Sequence, residues 1–153
     1  MIQRPQSIFL LIIIIAEILV LSLWNIWSNV SSKGEFLLVT VSEYRINGEI
    51  QQYLWISMGL VLISLGLTSF ILFSYKNRLR QMLLGMINSM FIAGSVGYLF
   101  YIIFKVVPVV ETNPSGQYEW GFYALVIALL ANMVANRLIR RDEMLVQSSN
   151  RMR

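Results

Sequence analysis

Apolar residues fill four long stretches of this chain: Ser7–Trp27, Tyr53–Tyr75, Met82–Val107 and Tyr118–Leu138. Charged residues gather in the segments between them. Each stretch reaches the roughly 20 helical residues, at about 1.5 Å rise each, that cross the hydrocarbon core of a bilayer. A water-soluble fold would have to hide four helices that are apolar all round, with almost no polar faces left for solvent. The pattern therefore predicts an all-α membrane protein, a single domain over residues 1–153 built as a four-helix transmembrane bundle. A short external β-hairpin is expected in the loop at 31–52.

The hairpin rests on local chemistry. Phe36–Val41 is apolar and β-branched, and Tyr44–Ile46 is followed by Asn47-Gly48, a strong signal for a type I′ turn. Two strands alone are marginal, so the hairpin should lie over the outer helix ends with Phe36, Leu38 and Tyr44 turned toward the membrane. It reads either as a lid on the bundle or as a docking surface. Between the second and third stretches, Tyr75–Arg80 is so short that the two helices must be antiparallel neighbours. Pro108 should end the third helix. The chain after Leu138 should stay helical for a turn or two, to about Val146, and become irregular over Gln147–Arg153.

Charge orients the bundle. One side holds Arg4, Lys76, Arg78, Arg80, Arg137, Arg140, Arg141, Arg151 and Arg153 with Asp142 and Glu143, a net +7. The other holds Lys33, Arg45 and Lys105 with Glu35, Glu43, Glu49, Glu111 and Glu119, a net −2. Glu17, inside the first stretch, completes the formal +4. The positive-inside rule then places both termini in the cytoplasm. Arg4, Lys76, Arg78, Arg80, Arg137, Arg140 and Arg141 are the expected topology and anionic-headgroup contacts. The basic balance thus needs no nucleic-acid partner. The first stretch should be a retained signal anchor, since its apolar core is long and Trp24 and Trp27 stand where a cleavage site would need small residues. Trp24, Trp27, Tyr53, Trp55, Tyr75, Tyr118 and Trp120 mark the interfaces.

Composition narrows the chemistry. Charged residues are 13% of the chain, about half the usual ~25% of soluble domains. With no Cys and no His, disulfides, thiol chemistry, imidazole haem ligation and the usual zinc sites are removed. Neither a phosphate-binding glycine loop nor a nucleophile triad is present, so no catalytic residue, metal or cofactor is expected. Polar residues inside the stretches are the remaining candidates. Glu17 lies about ten residues into its stretch, roughly 15 Å deep. Asn88 and Asn132 are the expected partners, with Asn136 one turn beyond Asn132 on the same face. Such a group is either an interhelical clamp with Glu17 neutral or a proton- or cation-responsive site. Gly94 and Gly97, and Gly59 and Gly66, are expected to let helix backbones approach closely.

The two ends and the central turn carry a family resemblance. Met1–Gln6 (MIQRPQ) opens straight into a span and Tyr75–Arg78 (YKNR) follows the second. Trp120–Tyr123 (WGFY), Ala135–Arg137 (ANR), Ile139–Glu143 (IRRDE) and Leu145-Val146 with Arg151 and Arg153 run to the end. The chain resembles an uncharacterised family of small four-span inner-membrane proteins of the Bacteroidota, catalogued as a domain of unknown function. The resemblance implies a Gram-negative inner membrane and brings no activity or site residue with it. Two functions follow as expectations. One is a non-catalytic accessory or scaffold subunit, contacting anionic lipid and either a membrane-protein partner or a second copy. The other is a small transporter or channel component using Glu17.

Overall fold

The computed structural model describes residues 5–22, 24–30, 34–74, 77–106 and 116–151. Four helices carry the fold: α1 (Pro5–Ser22), α2 (Trp55–Phe73), α3 (Arg78–Tyr101), which continues into a π-helical turn at Ile102–Val106, and α4 (Trp120–Arg151). Each helix packs on its neighbours in sequence, and α4 closes the ring against α1.

The inward positions explain the packing. They are Gln6, Leu10, Ile13, Glu17 and Val20 on α1, and Ser57, Val61, Ser64, Thr68 and Ile71 on α2. On α3 they are Gln81, Gly85, Asn88, Ile92, Ser95 and Leu99, and on α4 Leu125, Ala128, Asn132, Ala135 and Ile139. Steps of three and four alternate, which is the seam of helices crossing at a shallow angle. The polarity of the seam is inverted relative to a water-soluble bundle. Serine, threonine, asparagine, glutamine and a glutamate face inward, while Ile8, Ile15, Ile18, Phe70, Phe73, Met86, Met90, Leu130 and Met133 are exposed. An outside that is apolar around a partly polar inside is stable only when the surroundings are hydrocarbon. Among the described residues, three helices are long and apolar enough to cross a membrane, while α1 offers a shorter apolar segment, Gln6–Ser22.

The loop at 31–52 is more than a hairpin. Five antiparallel strands form one sheet, β1 (Trp27–Val30), β2 (Phe36–Val39), β3 (Glu43–Ile46), β4 (Glu49–Tyr53) and β5 (Gln117–Tyr118), in the order β4-β3-β2-β1-β5. The expected Asn47-Gly48 turn does join β3 to β4, with φ 51° and 87°, the left-handed pair a type I′ turn needs. The sheet also takes in β1 and β5 outside that loop and reaches the edge residues of three expected spans. Trp27 and Tyr53 belong to strands, not helices, and Tyr118 pairs with Trp27 across the chain. Beyond Ser22, the last described residue of α1, Asn25 and Ile26 bond to the sheet and to the start of α4 instead of continuing a helix. The Ile26 amide donates to Val39 O at 2.7 Å, and Asn25 O and Ile26 O accept from the amides of Gly121 and Glu119 at 2.9 and 3.0 Å.

The facing of the sheet also corrects the expectation. Side chains alternate along a strand, and Val39 pairs with Tyr44 while Trp27 pairs with Val39. Leu37, Val39, Tyr44 and Trp27 therefore share the buried face, and Phe36 lies 46% exposed on the other. Phe36 and Leu38 cannot join Tyr44. At the far end of the chain, α4 runs unbroken to Arg151 and does not become irregular at Gln147. The expected stop at Pro108 lies outside the described residues.

Candidate functional site

The inward polar side chains form two linked sets. In the first, Ser64 Oγ on α2 reaches both Glu17 Oε1 on α1 and, at 2.9 Å, Asn88 Oδ1 on α3. Asn88 Nδ2 donates to Thr68 Oγ1 at 2.9 Å, and Thr68 donates to the Ser64 carbonyl at 2.9 Å. Three helices are thereby joined through one serine hydroxyl. Glu17, Ser64, Thr68 and Asn88 are all at most 1% exposed, and Glu17 Oε2 has no hydrogen-bond partner among the described residues. A buried acid in such a place needs either neutrality or a counter-group.

The second set joins α3 to α4. Asn132 Nδ2 donates to Gly85 O at 3.0 Å and to Ser89 Oγ at 2.8 Å, while Ser89 donates to Gly85 O at 3.1 Å. Asn136 lies one turn further along α4. Its Oδ1 is without a hydrogen-bond partner among the described residues and would be 1.9 Å from a Cβ built on Gly85. Nearby, Gln81 Nε2 on α3 donates to Ile71 O at 2.9 Å, caught between the ends of the α2–α3 pair.

Glu17 and Asn88 are thus brought together through Ser64, whereas Asn132 and Asn136 address Gly85 and Ser89. Ser64, Thr68, Ser89 and Gln81 take part without having been singled out in the sequence. The signal for the first two was present: Ser57 and Ser64 are seven apart, as are Val61 and Thr68, the spacing of a helix seam. The glycines behave differently from expectation. Gly59, Gly66 and Gly97 have open space at the Cβ position and Gly94 meets only Leu60 at 3.7 Å. Close approach occurs instead at Gly85, at Gly116 against the Trp27 ring, and at Gly121, whose Cβ would lie 2.6 Å from Asn25 O.

Of the basic residues, Arg80, Arg137, Arg140 and Arg141 have exposed side chains. Arg4, Lys76 and the Arg78 side chain lie outside the described residues. An apolar groove of about 370 Å³ opens between α1 and α4, floored by Ala16 and Ala124 and flanked by Ile12, Ile15, Leu19, Trp24, Trp120, Tyr123 and Ile127.

Comparison with known proteins gives one family. The family model described as Domain of unknown function (DUF4293) matches residues 2–152. No curated protein and no solved structure matches the chain.

Proposed function

Since the chain belongs to the DUF4293 family, which carries no assigned activity, we propose a role from the site itself: a non-catalytic accessory or scaffold subunit of a membrane complex. Its setting is the inner membrane of a Gram-negative bacterium of the Bacteroidota, with four spans and both termini cytoplasmic. The observation that carries this reading is the use made of the intramembrane polar groups. Ser64 and Asn88 join α1, α2 and α3, and Asn132 joins α3 to α4. Such bonds orient helices and hold a packed frame. The sheet supplies the second half of the reading, because Val30, Phe36, Ile50 and Tyr53 leave apolar surface exposed on the one part outside the helices. Exposed apolar groups in a polar setting suit a protein partner.

The experiment is purification of the full chain in gentle detergent, followed by identification of stoichiometric companions. A partner or a second copy retained through size exclusion is the expected result. A lone monomer at every concentration would overturn the scaffold reading. The runner-up, a transporter or channel component, is favoured by one observation, the unpartnered Glu17 Oε2 inside the bundle. It predicts that correctly assembled Glu17→Gln protein loses function, where the scaffold reading predicts that it keeps it.

A further inference from the structure

We propose that the seam between α1, α2 and α3 binds a single proton at Glu17, and that this proton sets the direction of the whole hydrogen-bond chain from Glu17 to Thr68. The inference goes beyond the scaffold reading and does not depend on any partner. It follows from counting donors. A hydroxyl has one proton to give, and an amide or carbonyl oxygen can only accept.

The count starts at the far end. Thr68 Oγ1 sits 2.9 Å from the Ser64 carbonyl, so its one proton goes there. Asn88, 2.9 Å from Thr68 Oγ1, must then approach with its NH2 group. That leaves Asn88 Oδ1 facing Ser64 Oγ at 2.9 Å, and Ser64 must spend its proton on it. Only lone pairs remain on Ser64 Oγ to meet Glu17 Oε1. A carboxylate there would stand oxygen to oxygen. With the Thr68 proton on the Ser64 carbonyl, the contact closes only when Glu17 carries the proton and donates it to Ser64.

A second observation points the same way. Glu17 Oε2 is buried without a partner among the described residues, a modest loss for the carbonyl oxygen of a neutral acid and a severe one for a bare carboxylate. Charged groups do not rescue the ionised form. Along Trp55–Phe73 of α2 there is no Asp, Glu, Lys, Arg or Tyr, and α1 has no other over Pro5–Ser22. On α3 the ionisable groups are Arg78 and Arg80 at one end and Tyr98 and Tyr101 at the other; on α4 they are Tyr123 near its start and Arg137, Arg140, Arg141, Asp142, Glu143 and Arg151 toward its end. Among the described residues the hydrogen-bond partner of Glu17 is Ser64.

Removing the proton reverses every bond. Ser64 must turn its hydrogen to Glu17, Asn88 must rotate its amide to donate to Ser64, and Thr68 must release the Ser64 carbonyl to donate to Asn88 Oδ1. Oε2 still gains no donor. The protonated state therefore latches α1 onto the α2–α3 pair, and the ionised state weakens that latch.

Infrared spectroscopy of the full chain in lipid bilayers, with 13C-labelled glutamate, tests the proposal across a pH series. The neutral-carboxyl C=O band should be present in the wild type and absent in Glu17→Gln. In Ser64→Ala it should move to higher frequency, because the donated hydrogen bond is lost. Raising the pH should remove the band and lower the melting temperature together. In Glu17→Gln, whose amide can donate to Ser64 as the acid does, melting should lose that pH dependence. A Glu17 signal that is carboxylate throughout, or a band that Ser64→Ala does not move, overturns the proposal. So does a Glu17→Gln protein that melts with the wild-type pH dependence. If Glu17→Gln does not assemble, the Ser64→Ala shift decides alone. A monomeric protein that shows the band would sink the scaffold reading and leave this one standing.

Discussion

Gly121 is the residue whose replacement should matter most for the least change in size. Its Cβ would strike the backbone oxygens of Asn25 and Trp24 at 2.6 and 2.9 Å, and its amide donates to Asn25 at 2.9 Å. Backbone cannot step aside as a side chain can, so Gly121→Ala should cost about 1–3 kcal/mol through overpacking. Gly85→Ala should cost less, because the atom in its way is the tip of Asn136, which is only half-buried and can rotate. Gly97→Ala meets nothing and should stabilise by up to about 1 kcal/mol through helix propensity. Melting of the three variants in one detergent checks the order. Tyr44 makes a separate prediction. Burial pushes its phenol above the ordinary value of 10.0, and the Glu35 carboxylate adds to the shift. Below that ordinary value Tyr44 is neutral whether folded or unfolded and stability is unaffected. Above it the unfolded chain loses its proton first, so stability falls as pH rises toward the raised value. Ultraviolet titration should show one phenol ionising late, missing in Tyr44→Phe. Because the Tyr44 hydroxyl has no hydrogen-bond partner among the described residues, that variant should stay within about 1 kcal/mol of wild type at neutral pH.

At the scale of elements, the Asn47-Gly48 turn does more than reverse the chain. Asn47 Oδ1 accepts from the Phe36 amide at 2.7 Å, and the Asn47 amide donates to Phe36 O at 2.8 Å. The β3–β4 turn is thereby tied to the start of β2. Asn47→Ala loses the side-chain bond and places a β-carbon residue at φ 51°, and should destabilise the sheet by about 1–2 kcal/mol. Asn47→Gly relieves the backbone and loses only the bond, so it should fall between the two. Amide hydrogen exchange in β2–β4 measures the difference while α2 and α3 serve as internal controls. The helices obey a simpler rule. Their seam positions step by three and four whatever the residue; of the polar ones, Ser64, Asn88 and Asn132 bond across to another helix, while Ser95 bonds back to Ile92 O of its own.

For the whole molecule, the decisive fact is the inversion of polarity between inside and outside, which needs hydrocarbon around the bundle. The proposed orientation, with both termini cytoplasmic, rests on interfacial charge. Replacing Arg137, Arg140 and Arg141 together with Gln should weaken the inside bias and reduce binding to anionic vesicles without unfolding the bundle, because all three side chains are exposed. Reporters fused after Arg153, with vesicle flotation, measure both effects. Unchanged topology with unchanged lipid binding would redirect these arginines to a specific cytoplasmic partner.

The apolar stretches alone established a helical membrane-type chain, because composition and length decide that question before any packing does. The Asn47-Gly48 turn was legible for the same reason, since its φ values are a local property of those two residues. Where the stretches end was not legible. Trp27, Tyr53 and Tyr118 are apolar enough for a span, and they become strand because Val39, Glu43 and Trp27 pair with them. Glu17 and Asn88 stood out as polar residues in apolar surroundings, but the serine that joins them did not. A hydroxyl is common in membrane helices and can satisfy itself on its own backbone, as Ser69 does on Leu65 O at 2.8 Å. Only the tertiary arrangement of α1, α2 and α3 decided that Ser64 would bond between helices, because hydrogen bonds across a seam depend on which faces meet, and sequence order does not specify that.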